Sequence, residues 1–177
     1  GVVQDQALVA LHACGGEQWQ IIPGAGYGSG YHSGNDYHAV DLERTDGATK
    51  GSKILAPARG KITIAGWSTS CGWWVMMDHG SGWTSKMCHM HCDPNNFTKV
   101  GDDLLQGTQI GIAGDTGWTG SERGRSPYPH IHFVIYKNGV SQPLTGISSC
   151  SSIVTGVSYS SGNAFVTPPK GRNTCPS

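Results

Sequence analysis

Pro129-His130-Ile131-His132-Phe133 sets two histidines two residues apart inside an apolar run. A strand alternates its faces with each residue, so His130 and His132 share one side while Ile131 and Phe133 share the other, where they can pack into a core. Imidazole is the commonest metal ligand among side chains. The run therefore reads as a core β-strand with a metal or catalytic site on its second face. A glycine-rich loop, Gly111-Ile112-Ala113-Gly114-Asp115-Thr116-Gly117-Trp118-Thr119-Gly120, leads into it, and Cys88-His89-Met90-His91 ends an earlier strand-like run. Several histidines can thus meet in space.

Outward from this strand the pattern predicts a mainly β chain. Residues 61–67, 73–77, 83–89 and 131–136 are short runs rich in β-branched and aromatic side chains. Asp78-His79-Gly80-Ser81-Gly82 reads as a hairpin turn with His79 a solvated tip, and Asn138-Gly139 is a second turn signal. A helix fits only Gln4 to His12, because 27 glycines argue against long helices elsewhere. We expect an antiparallel β-sheet core with long loops in a single domain over 1–177. Its core spans about 30–140, with a loop-rich N-terminal segment and a Ser/Thr/Gly-rich annex after Ser141.

Composition narrows the function. Only 14% of the 177 residues are charged and the formal net charge is zero, so there is no electrostatic footprint for nucleic acid or an anionic membrane. No apolar segment reaches the roughly 20 residues that span a bilayer, and the first residues, with Asp5 and His12, lack the pattern of a signal peptide. The chain reads as soluble, processed and monomeric. Its six cysteines, Cys14, Cys71, Cys88, Cys92, Cys150 and Cys175, show no C-x-x-C spacing. They suit three disulfides in a secreted, extracellular protein better than a zinc-thiolate site. Six cysteines allow 15 connectivities, and Cys150 with Cys175 is the pair we expect.

Taken in order, Val100-Gly101, Gly107-Thr108-Gln109-Ile110-Gly111, Gly114-Asp115-Thr116-Gly117 and Pro129-His130-Ile131-His132-Phe133 resemble the closing signature of the M23 zinc peptidases, the lysostaphin, staphylolysin and β-lytic endopeptidase group. The resemblance covers roughly Gly30 to Tyr136 and implies a lysostaphin-type peptidase fold with one bound zinc. It makes His132 a zinc ligand and His130 a catalytic residue. Asp41, in Tyr37-His38-Ala39-Val40-Asp41-Leu42, resembles the family's ligand aspartate. Tyr37 stands where the commoner pattern has the partner histidine. His32, in Gly30-Tyr31-His32-Ser33-Gly34, resembles the longer-interval start of the staphylolysin branch and is the favoured ligand, with His38 the fallback. Met87-Cys88-His89-Met90 resembles a strand end that makes His89 the second catalytic histidine, with His91 one step further along the same face. Tyr159 resembles a late tyrosine that donates to the oxyanion, with Tyr27, Tyr31 and Tyr37 as alternatives. Trp118, in the loop before His130, is a candidate groove residue.

Two neutral histidines and one carboxylate would leave zinc an open position, where water acidifies to a pKa of about 7 and can attack a peptide carbonyl. His89 and His130 would move protons or hold the oxyanion. The resemblance implies glycine-rich substrates, in peptidoglycan cross-bridges or elastin-like proteins, with no nucleic-acid partner. A catalytically inactive binding or regulatory protein of the same fold is the competing reading.

Overall fold

The computed structural model describes residues 17–30, 32–144 and 165–176, together with the backbone of Tyr159–Ser160. Eleven strands are present among these residues: β1 Gln18–Ile21, β2 Val40–Arg44, β3 Lys53–Leu55, β4 Gly60–Ser68, β5 Gly72–Gly80, β6 Trp83–Met90, β7 Asp103–Leu104, β8 Gln109–Ile112, β9 Ile131–Lys137, β10 Val140–Gln142 and β11 Tyr159–Ser160. Nine form an antiparallel sheet in the order β11-β1-β2-β9-β6-β5-β4-β7, with β10 beside β9, and β3 pairs with β8 as a separate ribbon. The expected helix at Gln4 to His12 lies outside the described residues.

Alternation along the central strands separates the core from the site. Ile131, Phe133 and Ile135 of β9 join Val40 and Leu42 of β2, Met87 of β6 and Val75 and Met77 of β5 in the main hydrophobic core. Each such buried side chain contributes about 1.5–3 kcal/mol relative to exposure. The positions between them face the other way. There His132 lies opposite both Asp41 and Cys88, and Val134 lies opposite Lys86. The periodicity of Ile131-His132-Phe133 thus fixes which side of the sheet carries chemistry.

Both hairpin turns use the positive φ that a two-residue turn of this twist requires. Ser81 and Gly82 (φ +54° and +83°) join β5 to β6, and Asn138 and Gly139 (φ +50° and +81°) join β9 to β10. Since β5 runs on to Gly80, His79 is not the solvated tip expected from sequence. It belongs to the strand: Nδ1 is 2.8 Å from the carbonyl of Arg59 and Nε2 is 2.8 Å from Ser85 Oγ, so burial between β4 and β6 lowers its pKa.

Two disulfides are present among the described residues, Cys71–Cys88 and Cys92–Cys175. The second overturns the expected Cys150–Cys175 pair. The cause is the path of the tail: Val166 exchanges backbone hydrogen bonds with Gly107 and Gln109, the Lys170 amide donates to the Phe97 carbonyl, and the Gln109 side chain donates to the Asn173 carbonyl. These contacts carry Cys175 to the chain that follows β6. Cys14 and Cys150 lie outside the described residues. Because Cys92–Cys175 closes a loop of 83 residues, replacing both cysteines with serine is expected to cost about 2–5 kcal/mol. Denaturant unfolding of the double variant checks this.

Candidate metal centre and catalytic groove

His32 precedes a single 3₁₀ turn, Gly34–Asp36, that leads the chain into β2 and Asp41. His32 Nε2 and His132 Nδ1 each lie 3.1 Å from the same oxygen, Asp41 Oδ1, and one donor atom from each of the three residues falls within 4.8 Å of the others. The second nitrogen of each ring is committed elsewhere. His32 Nδ1 lies 3.0 Å from the Gly26 carbonyl, which can only accept, and His132 Nε2 lies 3.0 Å from the Asp36 carboxylate. Each ring hydrogen is thereby placed away from Asp41, leaving a bare lone pair directed toward it. Two imidazole nitrogens and a carboxylate oxygen fit zinc, and three protein ligands leave a fourth position open.

The electrostatics keep Asp41 ionised, as a metal ligand must be. Burial works against ionisation of Asp41, but His130, His132 and His32 outweigh it and hold its carboxyl well below the usual carboxylate range. His132 moves upward despite its burial, because Asp36 and Asp41 both bond its protonated form. A second group, Asp41, Glu122 and His130, also brings donors within 4.8 Å. It is the poorer cation site, since burial, then the hydrogen bond and charge of Asp41, push Glu122 up to about 10 and leave it a neutral acid at pH 7.

His89 and His130 reach the same place by different routes. Strand parity would send His89 into the core with Met87, but a positive φ of 68° turns it out of the strand. Its ring centroid comes to 4.6 Å from that of His130 and 6.0 Å from that of His132. His91, the alternative on the same face, is exposed, and its backbone packs against Gly114 instead. One loop, residues 113–130, sets both catalytic candidates: His89 Nδ1 lies 2.7 Å from the Thr116 carbonyl and His130 Nδ1 lies 3.0 Å from that of Tyr128. Both rings therefore carry their hydrogen on Nδ1 and keep a lone pair on Nε2 that can take a proton, that of His130 lying 3.4 Å from Asp41 Oδ1. Burial, reinforced by the neighbouring histidines, pushes His89 down to about 3, and burial also lowers His130, so both are neutral at pH 7.

The loop is fastened at two points. Gly117 sits so close to β5 that a Cβ would run into the backbone of Gly72, and its φ of +76° suits glycine. At the far end Arg123 and Tyr128 both donate to the buried Glu43 carboxylate of β2. Glu43, Asp36 and Glu122 were not singled out by sequence reasoning. The repeated alternation in Asp41-Leu42-Glu43 was the available signal for Glu43, which shares a face with Asp41.

Among the described side chains, His38, Tyr27 and Tyr37 have their partners elsewhere. His38 bonds Ser141 Oγ at 2.9 Å and packs between Tyr27 and Tyr37, so His32 rather than His38 is brought to Asp41. The Tyr27 hydroxyl accepts from the Leu144 amide, and Tyr37 is largely exposed. Tyr159 pairs with Trp19 through its backbone at the edge of the sheet, and its side chain, like all of Tyr31, lies outside the described residues.

A cavity of about 180 Å³ lies on one side of the histidines, walled by Gly24, Ala25, Gly30 and the Trp118–Glu122 segment. On the other side a space of about 250 Å³ is bounded by Ser70, Lys86 and the Cys71–Cys88 disulfide. Trp118, 62% exposed, borders both. The pair forms a groove passing over His89 and His132, with small residues along much of one wall.

A family model described as peptidase family M23 matches residues 32–143. The DD-carboxypeptidase/endopeptidase Mpg of Neisseria meningitidis serogroup B is 30% identical over 117 residues, which are 66% of this chain and 22% of that protein. The chain thus spans about a fifth of the length of the curated relatives it matches. Among solved structures, the M23 metalloprotease pseudoalterin from the deep sea is 26% identical with a TM-score of 0.56 over 94% of both chains. Lysostaphin from Staphylococcus simulans is 25% identical with a TM-score of 0.52, over 75% of this chain and 52% of that one.

Proposed function

This chain belongs to peptidase family M23, and from that premise we propose that it is a secreted zinc metalloendopeptidase that hydrolyses glycine-rich peptide bonds, in peptidoglycan cross-bridges or elastin-like proteins. The observation that carries this reading is the direction of five side chains: lone pairs of His32 and His132 meet at Asp41 Oδ1, while His89 and His130 commit Nδ1 to loop carbonyls and keep Nε2 unprotonated beside them, that of His130 3.4 Å from Asp41 Oδ1. Zinc held there would polarise a peptide carbonyl and acidify water at neutral pH. His89 and His130, both neutral, accept a proton through Nε2 and return it to the departing amine, or hydrogen-bond the oxyanion once protonated. The full set of five argues against an inactive binding protein.

The groove supports that substrate preference. A cavity of about 180 Å³ lined by Gly24, Ala25, Ser29, Gly30 and Gly120 is below the roughly 300–1,000 Å³ of typical small-molecule sites. A peptide main chain with small side chains fits such a space. Disulfides within the described residues support secretion, because they persist in oxidising compartments.

The test is a panel of pentaglycine peptide, elastin and intact sacculi, with cleavage sites mapped by mass spectrometry, before and after chelation and zinc restoration. Cuts next to glycine, lost on chelation and regained with zinc, are expected. A zinc-loaded protein that cuts none of the three would overturn the reading.

A further inference from the structure

We propose that Asp36 positions His132 for metal binding, and that Lys86 and Tyr136 hold the Asp36 carboxylate in place to do so. The inference rests on the reading that His32, Asp41 and His132 bind zinc. Asp36 Oδ2 lies 3.0 Å from His132 Nε2, and Tyr136 donates to Oδ1 at 2.6 Å. Lys86 Nζ reaches both oxygens, at 3.0 and 2.8 Å. Three donors from β6 and β9 therefore converge on one carboxylate carried by the turn between His32 and Asp41.

An imidazole can carry its hydrogen on either nitrogen. A hydrogen on His132 Nδ1 would point at Asp41 Oδ1 and occupy the lone pair a metal needs. A carboxylate at Nε2 keeps the hydrogen there, leaves Nδ1 bare and makes the ring a stronger donor. A simple surface pair between Lys86 and Asp36 explains less. Exposed pairs contribute little to stability, and this one is mostly buried, with side-chain exposures of 15% and 22%. Tyr136 and Lys86 alternate with Val134 and Cys88 on the site face, so the sheet that places His132 also places the groups that fix its partner. The Gly34–Asp36 turn does so from the other side, with the Ala39 amide donating to the Asp36 carbonyl.

The experiment is zinc affinity of the full chain, measured by competition with a chelating indicator, with thermal unfolding of the metal-free protein as the fold control. Asp36→Ala is expected to weaken zinc binding by about 10–100-fold, the usual effect of removing a partner of a metal-bound histidine. Asp36→Asn keeps an acceptor but not the charge and should restore part of the loss. Tyr136→Phe, which frees one carboxylate oxygen, should show the smallest weakening. If Asp36→Ala fails to fold, the asparagine and phenylalanine variants decide. Folded variants that bind zinc as tightly as the wild type overturn this inference alone, whereas a wild-type protein that takes up no zinc overturns the metal reading and this inference with it.

Discussion

His132→Ala is expected to lose stoichiometric zinc and, with it, essentially all peptide hydrolysis. The residue sits between Asp41 of β2 and Cys88 of β6 in the sheet register, and its Nδ1, like His32 Nε2, lies 3.1 Å from Asp41 Oδ1, nearer than His130 Nε2 at 3.4 Å. Removing it leaves one histidine and one carboxylate, too few to hold zinc in a site that otherwise offers three ligands. The remaining groups then lack what they assist. Since general acid–base help by itself supplies about 10²–10⁴-fold, the loss should exceed that range. His32→Ala should behave the same way, while His38→Ala, whose ring is occupied by Ser141, should keep metal and turnover. Metal analysis of the three purified variants, read beside their rates, checks the assignment. A His32→Ala protein with full zinc and activity, beside a His38→Ala protein lacking both, would sink it.

His89→Ala and His130→Ala should instead fold, retain zinc and turn over about 10²–10⁴-fold more slowly. Neither ring is needed for the three-donor set. Each commits Nδ1 to a carbonyl of the 113–130 loop and keeps Nε2 unprotonated, that of His130 3.4 Å from Asp41 Oδ1. Comparing kcat and KM locates the defect: loss concentrated in kcat means an interaction made in the transition state. Normal turnover in both variants would remove the two histidines from the mechanism.

Much of this was legible before the structure, and for identifiable reasons. The four long strands declare themselves through β-branched and aromatic runs, and the faces of β9 follow from simple alternation in Ile131-His132-Phe133. The short strands do not. Gln109–Ile112 is buried at every position, so it shows no alternation, and Asp103–Leu104 is too short to carry a pattern. His32 and Asp41 are legible only through likeness to a family, since a separation of nine residues has no periodic meaning of its own. The expected sharing of a face by His89 and His91 failed because the backbone at His89 takes a positive φ, which alternation does not anticipate. Asp36 and Glu43 escaped notice because an isolated acidic residue in a polar stretch looks solvated until its partners, distant in sequence, arrive.

The Cys92–Cys175 bridge has a further consequence for a protein that meets a protease. The H-x-H strand lies inside the loop that this bridge closes. One broken peptide bond anywhere between the two cysteines leaves both pieces covalently attached, so a nicked molecule stays a single particle. Nicking should therefore become visible on a gel only after reduction, and a singly clipped molecule need not shed the strand that carries His132.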